Sequence, residues 1–306
     1  MKVVITGGTG LMGNALAKSL AADHHQVLIL SRDPKRRSSP AQGVEIVRWD
    51  GKTAGDWVEQ AEGAEAIINL AGASIDQRWT DSHKKLIVDS RKEAGQAVVA
   101  GIKSMAQKPE VVIQASAVGY YGPRDDAEIT EESPAGNDFL AEVCKVWEAS
   151  TEEVETLGVR RCVIRTGIVL STKGGAMARL LPIFRMFAGG PVGSGKQYMS
   201  WIHIGDQVDA IRFLIENKNA KGAFNLTAPN PVTNRAFVKA LGSALGRPSL
   251  IPAPGFSLKI MFGEMSTVVL DGQRVVPQKL QQLNYNFRFI DPENAIRNLL
   301  YSGIEG

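Results

Sequence analysis

Three glycines near the start of the chain have the spacing of a turn that binds phosphate groups, in residues 6–13 (TGGTGLMG). A β-branched run precedes them and a helical pattern follows, which is the context that a dinucleotide-binding turn requires. Gly7 allows a tight turn, Gly10 lets the backbone approach a pyrophosphate, and Gly13 lets the helix pack closely on the strand. We therefore expect the dinucleotide contacts of this turn to come from Gly7, Thr9, Gly10, Leu11, Met12 and Gly13.

The end of the second predicted strand distinguishes NAD(H) from NADP(H). An acidic side chain there would accept a hydrogen bond from the ribose 2′-hydroxyl of NAD(H), whereas an arginine offers its fork to the 2′-phosphate of NADP(H). The sequence has Ser31-Arg32 at this point, with Asp33 one position later and a short basic stretch at 35–37. Ser31 and Arg32 therefore predict NADP(H) as the cofactor. The alternative is that Arg32 is an ordinary solvated surface residue.

Apolar runs of strand length alternate with helical patterns through the first half of the chain, and these strands are apolar on both faces. This pattern predicts an α/β fold with a doubly wound parallel sheet of the Rossmann type. After the first two strands, further strands are predicted at 45–48, 66–70, 111–116 and 161–165, and longer helices at 84–102 and 139–157.

The pattern changes from about residue 170, where glycine-rich loops such as 189–195 appear. A helix is predicted after them over 233–245. Thr233 is the expected N-cap, and Gly246 and Pro248 are expected to end the helix.

These changes divide the chain into two parts. Residues 1–170 are expected to form the NADP-binding Rossmann domain, with a later strand and helix contributed by about 200–228. Residues 171–306 are expected to form mainly a smaller α+β lobe on the substrate side, which would be one wall of a cleft.

The composition is that of an ordinary globular protein, with a net charge of +3 and no long basic stretch, so no nucleic-acid partner is expected. Cys144 and Cys162 are too few for a disulfide framework and have no metal-ligand spacing. The sequence has no apolar run long enough to span a bilayer and no signal peptide, so we expect a cytoplasmic protein without a membrane partner. The expected partner is a small-molecule substrate. Homodimers are common among parallel-sheet proteins of this type, but the sequence identifies no dimer surface.

Several motifs resemble those of the short-chain dehydrogenase/reductase superfamily, in its extended, epimerase-like branch. The general resemblance is carried by the glycine motif, by Asn69-Leu70-Ala71-Gly72 and by Ser116. More specifically, the chain is similar over nearly its whole length to the atypical subfamily called "epimerase family protein". The segments that carry this second resemblance are Arg78-Trp79, Ser90-Arg91, 115–122 (ASAVGYYG), 189–196, 201–206 (WIHIGD) and 263–277.

The resemblance implies an NADP-dependent oxidoreductase or epimerase that acts on a small polar substrate, such as a sugar or a sugar nucleotide. It also implies further contacts to NADP(H). Leu70 and Ala71 follow a predicted strand, where ligands of open α/β sheets bind and where small residues let a ribose pack on the backbone. The implied cofactor contacts are Ser31, Arg32, Leu70, Ala71, Arg91 and Arg165, with Gly72 in the same turn as Leu70.

The catalytic pair of the superfamily is missing. Active members use a tyrosine as acid/base and a lysine four residues later, which stabilises the phenolate. The corresponding predicted helix contains no tyrosine. Alignment on Glu148 places Leu140 and Cys144 at the two positions, whereas alignment from Phe139 places Val143 at the lysine position.

Ser116 matches the serine that hydrogen-bonds the substrate oxygen, although Ala117 competes for this position because the following segment is one residue longer than usual. Tyr120 and Tyr121 lie just beyond, and the alternative to a catalytic role is that they serve packing. The candidate catalytic residues are therefore Ser116, Tyr120 and Tyr121. Two functions follow: an NADP(H)-dependent enzyme with an altered acid/base, or a non-catalytic NADP(H)-binding sensor or regulatory protein.

Two further sequence features, a glycine-rich loop and a histidine, are interpreted as structural and not as ligand-binding sites. Residues 190–196 match part of a phosphate-binding loop, but Gln197 follows where Ser or Thr should bind magnesium, and no strand precedes the loop. His203 is interpreted as part of a segment that enters the next helix, with Asp206 as the expected cap. No metal site is predicted.

Overall fold

The apolar run that starts the chain becomes an interior strand of a seven-stranded sheet, where its side chains are buried on both faces. The computed structural model describes residues 1–34 and 42–301. The basic stretch 35–37 lies outside the described residues.

Thirteen strands are present in the described part of the chain. They are β1 (Lys2–Thr6), β2 (Gln26–Ser31), β3 (Val44–Arg48), β4 (Ala66–Asn69), β5 (Val111–Ala117), β6 (Glu128–Ile129), β7 (Arg160–Thr166), β8 (Ile168–Leu170), β9 (Tyr198–Met199), β10 (Trp201–His203), β11 (Gly222–Leu226), β12 (Val232–Thr233) and β13 (Arg274–Val275). The large sheet is parallel throughout, in the order β11-β7-β5-β4-β1-β2-β3. The predicted doubly wound Rossmann fold is confirmed.

Eleven α-helices connect or cover these strands in the described part of the chain. They are α1 (Leu11–Ala22), α2 (Trp57–Ala61), α3 (Asp81–Ser104), α4 (Phe139–Ala149), α5 (Gly175–Arg185), α6 (Ile204–Glu216), α7 (Asn234–Leu245), α8 (Gly255–Phe262), α9 (Thr267–Leu270), α10 (Gln278–Gln282) and α11 (Pro292–Tyr301). Within residues 1–34 and 42–301, no helix is both long enough and apolar enough to cross a membrane.

The sheet has a buried apolar layer on each face. Leu16 of α1 and Ile211 of α6 contribute to one layer, and Trp57 of α2 and Val98 of α3 contribute to the other. Strand β11 and helix α6 come from the second half of the chain, yet both belong to this Rossmann unit. A third core, formed largely by α5, α7 and α11, lies in the C-terminal lobe.

Strand register brings several polar residues to the carboxyl edge of the large sheet. Thr6 of β1 pairs with Asn69 of β4, and Ser116 of β5 pairs with Arg165 of β7. Ligands of open parallel sheets bind at this edge, next to the point where strand order reverses. In this chain the order reverses between β1 and β4.

The predicted helix over 139–157 is wrong in its second half. Helix α4 ends at Ala149, and a short 3-10 helix, Glu152–Leu157, follows. The Ser150 hydroxyl donates to the Trp147 carbonyl at 2.7 Å, which competes with continued helical hydrogen bonding. A Cβ atom at Gly95 of α3 would overlap with the Ser150 hydroxyl, so the two helices approach each other closely at this point.

The predicted caps have mixed outcomes. Thr233 caps α7 by accepting from the Ala236 amide at 3.3 Å, and Gly246 ends that helix in a left-handed conformation, as predicted. Asp206 is wrong as the cap of α6. The Nδ1 atom of His203 accepts from the Gly205 amide at 2.9 Å, and His203 is therefore the N-cap.

Asp206 has a different function in the fold. Its buried carboxylate accepts from the backbone amides of Arg288 and Phe289 at 3.1 and 2.9 Å. This contact ties the start of α6 to the C-terminal segment. The sequence pattern placed Asp206 correctly at the start of α6 but did not identify the amides that it binds, because residues 288 and 289 lie far along the chain.

Candidate functional site

The glycine turn between β1 and α1 leaves open space at Gly10. Gly7 has φ of +66°, and a Cβ atom there would lie 2.8 Å from the Leu70 carbonyl. A Cβ atom at Gly13 would lie 2.6 Å from the Gly8 Cα, so both positions are restricted by packing. A Cβ atom at Gly10 would meet only the Gly7 carbonyl, at 3.3 Å. Gly10 therefore faces a space that a ligand can occupy.

This space is a cleft of about 300 Å³ between the two parts of the chain. The glycine turn, Leu11, Met12 and Leu70 line one side, and residues around Val169 and Gly175 line the other. No described side chain caps the start of α1, so its first amides are available to an anion. The arrangement fits the pyrophosphate of a dinucleotide. Thr9, the remaining predicted residue of this turn, lines a second cavity on the neighbouring side of α1.

A buried polar chain fixes the turn that follows β4. The Thr6 hydroxyl donates to the Asn69 side-chain oxygen at 2.6 Å and accepts from the amides of Leu70 and Ala71 at 3.1 and 3.2 Å. The Asn69 side-chain amide donates to Gln114 at 2.8 Å. Leu70 and Ala71 are therefore held in one position beside Gly7 at the cleft.

Ser31 and Arg32 lie at the carboxyl end of β2. The Ser31 hydroxyl exchanges hydrogen bonds with the backbone of Asp33, at 3.1 and 3.2 Å, which organises the bend after the strand. Arg32 is exposed and forms no ion pair with a described residue. Its guanidinium can therefore turn toward a 2′-phosphate without breaking an existing contact.

Arg91 is a buried cation without a carboxylate among the described residues. Its side chain donates to the carbonyls of Ala73 and Ile87 at 3.0 and 2.9 Å, while its Nε atom has no described partner. The guanidinium carbon lies 4.6 Å from the centre of the Trp147 ring. A Cβ atom at Gly72 would lie 3.0 Å from the same guanidinium carbon. Burial lowers the pKa of Arg91 to about 10. An anionic or polar ligand group would compensate this charge.

Ser116 and Arg165 meet at one carboxylate. The Ser116 hydroxyl donates to Glu148 Oε1 at 2.7 Å. Arg165 donates to the two oxygens of Glu148 at 2.9 and 3.0 Å, which is a bidentate pair. Although burial opposes it, the hydrogen bonds and charge of Glu148 raise the pKa of Arg165 above its ordinary value.

The two candidate tyrosines have different surroundings. The Tyr121 hydroxyl is buried, donates to Asn225 at 2.7 Å and accepts from Arg165 at 3.1 Å, and burial raises its pKa to about 12. The Tyr120 ring lies over Arg165, with 3.4 Å between its centre and the guanidinium carbon. No described residue hydrogen-bonds the Tyr120 hydroxyl. Of the two, only Tyr120 has a free phenol.

Comparisons with known proteins agree with this geometry. Residues 3–227 match the NAD dependent epimerase/dehydratase family, and residues 253–299 match a domain of unknown function, DUF1731. The chain belongs to the NAD-dependent epimerase/dehydratase family. In Arabidopsis thaliana, a chloroplastic epimerase family protein SDR39U1 homolog is 40% identical over 98% of this chain and 87% of its own length.

Two solved structures resemble the chain. The human epimerase family protein SDR39U1, solved with NADPH, has a TM-score of 0.85 and 33% identity over 98% of this chain and 99% of its own. A nucleoside-diphosphate sugar epimerase from Corynebacterium glutamicum has a TM-score of 0.78 and 34% identity. The match covers 98% of this chain and 58% of that protein.

The helix in which the resemblance expects the tyrosine and the lysine is α4. A Cβ atom at Gly119 would lie 3.3 Å from the Leu140 Cβ and 3.8 Å from the Cys144 sulfur, so both side chains face the segment after Ser116. Phe139 instead packs against Trp79, with ring centres 5.0 Å apart. The structure favours the alignment on Glu148, which places Leu140 and Cys144 where the resemblance expects the tyrosine and the lysine.

Neither side chain on that face of α4 can replace the pair. Leu140 carries no proton to transfer, and burial raises the pKa of Cys144 to about 11. Lys145, the nearest lysine in sequence, is directed outward and pairs with Glu142 on the surface of α4.

Glu148 is the residue of this site that sequence reasoning missed. It served only as an anchor for the alignment, yet it links Ser116 to Arg165. A signal was present, because Leu140, Cys144 and Glu148 are spaced four residues apart and share one face of a helix. That spacing places the carboxylate on the same face as the two altered catalytic positions.

The loop 190–196 and Gln197, which the sequence indicated to be structural, are held by hydrogen bonds to other parts of the chain. In the loop 190–196, the amide of Val192 donates to the side chain of Asn234 at 2.8 Å and that of Gly193 donates to the Ala253 carbonyl at 2.9 Å. Gln197 donates to the carbonyls of Val192 and Val269, both at 3.0 Å. The parts of the chain that the structure describes contain no group of three or more His, Cys, Asp or Glu residues placed to hold a metal ion.

Proposed function

We propose that the chain binds NADP(H) and uses it to oxidise or reduce a small polar substrate, a sugar or sugar nucleotide, as an oxidoreductase or epimerase. The observation that carries this proposal is the cleft at Gly10, together with the exposed Arg32 at the end of β2. The NADPH in the human relative supports the choice of cofactor. The nucleoside-diphosphate sugar epimerase among the relatives supports the substrate class.

The cofactor would be held by three groups of residues. The amides at the start of α1, with Gly7, Thr9, Gly10, Leu11, Met12 and Gly13, would receive its pyrophosphate. Ser31 and Arg32 would bind the 2′-phosphate, and Leu70, Ala71 and Gly72 would pack against a ribose. Arg91, whose buried charge is paired with no described carboxylate, would lie beside the same turn. When bound, NADP(H) supplies the hydride acceptor or donor.

Ser116 would contact the substrate oxygen, and its hydrogen bonding indicates how. Its single hydroxyl proton is donated to Glu148, so toward a substrate the Ser116 oxygen can only accept a hydrogen bond. Ser116 therefore accepts a hydrogen bond from a substrate hydroxyl. Arg165 acts through Glu148, because its bidentate pair keeps the carboxylate in place.

Tyr120 is the candidate for proton transfer. Its hydroxyl is free of described partners, whereas the Tyr121 hydroxyl is held between Asn225 and Arg165. Removal of a positioned acid/base typically costs about 10²–10⁴-fold in rate. We therefore assign proton transfer to Tyr120 and the positioning of Arg165 to Tyr121.

A second function has its own supporting observation. Leu140 and Cys144 lie where the resemblance places the usual tyrosine and lysine, so the proposed cofactor site would be combined with an altered acid/base. A non-catalytic NADP(H)-binding sensor or regulatory protein would have this combination.

One experiment separates these functions. NADPH binding is measured by calorimetry, and protein loaded with NADP⁺ is then incubated with UDP-glucose, UDP-galactose or UDP-N-acetylglucosamine while nicotinamide absorbance is followed. Reduction of the nicotinamide, or conversion of UDP-glucose to UDP-galactose detected by chromatography, supports the enzyme. Binding of NADPH with neither nicotinamide reduction nor sugar conversion supports the sensor, and absence of NADPH binding contradicts both.

The cytoplasm is the proposed compartment. Cys144 and Cys162 are buried free thiols, which agrees with a reducing environment.

A further inference from the structure

The C-terminal lobe has a large apolar area exposed to solvent. Leu250 is 81% exposed, Ile260 is 74% exposed and Met186 is 70% exposed. Exposed apolar patches beyond a few hundred Å² mark surfaces that contact a partner or a membrane. The exposed apolar side chains of this area are Ile183, Met186, Phe187, Leu250, Ile251, Phe256, Ile260 and Met261.

These side chains belong to segments that lie side by side. The amide of Ile251 donates to the Gly189 carbonyl at 3.1 Å, and that of Ala253 donates to the Pro191 carbonyl at 2.9 Å. Helix α8 begins two residues after Ala253. Phe256 and Ile260 are four residues apart in α8 and share one face of it. The end of α5, the segment 250–253 and α8 therefore form one continuous face.

Helix α8 is unusual because none of its residues is buried. A helix of mostly apolar residues normally places one side in a protein core. This one leaves Phe256, Ile260 and Met261 in solvent. Such a helix gains stability when its apolar side chains enter a different apolar environment.

Basic side chains accompany the apolar ones. Arg185 lies in α5, Arg247 lies over the Phe187 ring at 4.5 Å, and Lys259 lies in α8. None of these three cations forms an ion pair with a described carboxylate, although Lys259 acts electrostatically on Asp271. The sequence has no Asp or Glu in 156–205 or in 217–263, the two stretches that supply this face.

The combination of exposed apolar side chains and basic side chains indicates which kind of partner this face would bind. In a symmetric dimer through this face, Arg185, Arg247 and Lys259 would approach the same residues of the second copy without carboxylates between them, which is unfavourable. Apolar side chains next to unpaired cations instead match a surface that is apolar inside and negative outside.

We infer that this face, the apolar basic face, binds peripherally to the surface of a lipid bilayer that contains anionic lipids. Phe256, Ile260 and their neighbours would enter the boundary between headgroups and acyl chains, and the three cations would contact lipid phosphates. The expectation of no membrane partner came from the absence of a spanning segment. A peripheral contact requires no such segment.

The test uses co-sedimentation of the full-length chain with vesicles of phosphatidylcholine alone and of phosphatidylcholine mixed with phosphatidylglycerol. We expect binding only to the anionic vesicles, and loss of it in high salt. Ile260→Ser should weaken binding roughly tenfold, because an apolar side chain no longer enters the bilayer. Lys259→Ala should weaken it about fivefold, the usual contribution of one cation near an anionic membrane.

Two matched variants serve as controls. Ile290→Ser changes an isoleucine that is 51% exposed elsewhere in the chain, and Lys92→Ala changes an exposed lysine of α3. Neither should alter vesicle binding. All four variants should keep the NADPH affinity of the unmodified chain, which shows that they are folded and measures the cofactor proposal separately.

Several outcomes would overturn the inference. Equal pelleting with both kinds of vesicle, no pelleting with either, or equal losses in Ile260→Ser and Ile290→Ser would each exclude this membrane contact. A dimer in sedimentation velocity that Ile260→Ser dissociates would assign the face to a second copy. Binding to polyglutamate, with no binding to anionic vesicles, would assign it to an acidic protein.

Discussion

The Ser116 hydroxyl donates its proton to the Glu148 carboxylate across 2.7 Å, from the end of β5 to the last turn of α4. The bond leaves the Ser116 oxygen able only to accept a further hydrogen bond. A serine that binds a substrate carbonyl must instead donate, so the bond reverses the polarity of this position. It favours a substrate that presents a hydroxyl.

Glu148→Gln should destabilise the fold strongly. Arg165 is 6% exposed, and loss of the charge of Glu148 leaves a buried guanidinium without its ion pair. We expect the free energy of unfolding to fall by about 3 kcal/mol in urea titrations. Glu142→Gln is the control, because Glu142 lies on the exposed face of the same helix and should change stability by less than about 0.5 kcal/mol. Equal effects of the two changes would contradict a structural role for the Glu148–Arg165 pair.

Arg32→Ala should remove the preference for NADPH over NADH. We expect the unmodified chain to bind NADPH more tightly by roughly 1.5–3 kcal/mol, the scale of hydrogen bonds to a charged group. Calorimetry with both cofactors measures this difference. Arg185→Ala removes an arginine from the far end of α5 and should leave the difference unchanged. Equal affinities of the unmodified chain for NADPH and NADH would contradict the assignment of Arg32.

Gly10→Val and Gly13→Ala should separate binding from folding. Gly10 has an extended backbone that valine adopts readily, so its variant should fold normally but lose NADPH binding, because its side chain fills the pyrophosphate space. In Gly13→Ala the new methyl group would lie 2.6 Å from the Gly8 Cα, which should cost about 1–3 kcal/mol of stability. Thermal unfolding and NADPH titration of both variants test this. Normal NADPH affinity in a folded Gly10→Val variant would show that the turn does not hold the cofactor.

Three hydroxyl deletions should have distinct effects once a substrate is available. Tyr120→Phe should reduce kcat by about 10²–10⁴-fold with little change in NADPH affinity, because the lost interaction belongs to the transition state. Ser116→Ala should lower kcat/KM through its substrate contact. Tyr121→Phe leaves the Asn225 side-chain oxygen without its donor, so it should mainly reduce stability, by about 1–3 kcal/mol. If all three variants turned over substrate like the unmodified chain, the acid/base would lie in the C-terminal lobe.

The stability of the chain should depend on His203 in mild acid. Burial lowers the pKa of His203 to about 4 from an ordinary value near 6.5. The unfolded chain therefore takes up the proton first, and stability falls as the pH drops from 6.5 to 4. Between about pH 7 and pH 5 this should cost about 2 kcal/mol in urea titrations.

His203→Asn should remove that pH dependence, because asparagine keeps an N-cap acceptor but does not titrate. His83 is only partly buried, and His83→Asn should keep the full loss of stability in acid. A His203→Asn variant that lost as much stability as the unmodified chain would show that other groups cause the acid sensitivity.

Local patterns predicted the elements of the fold well. The motif at 6–13 sets its own turn and helix, and Thr233 and Gly246 mark the ends of α7, because glycine spacing and caps act within a few residues. The site was harder to predict, since Ser116 and Arg165 become neighbours only through the pairing of β5 with β7. The same limit explains the error at Asp206, whose partners at 288 and 289 lie far along the chain.

Strand β11 pairs with β7 at the edge of the large sheet, although 55 residues separate the end of β7 from the start of β11. During synthesis the Rossmann sheet therefore stays incomplete until β11 has left the ribosome. A chain cut near residue 170 would expose the unpaired edge of β7, which is a template for aggregation. The C-terminal half thus completes the sheet of the N-terminal half, and we expect the two halves, expressed separately, to recover solubility only together.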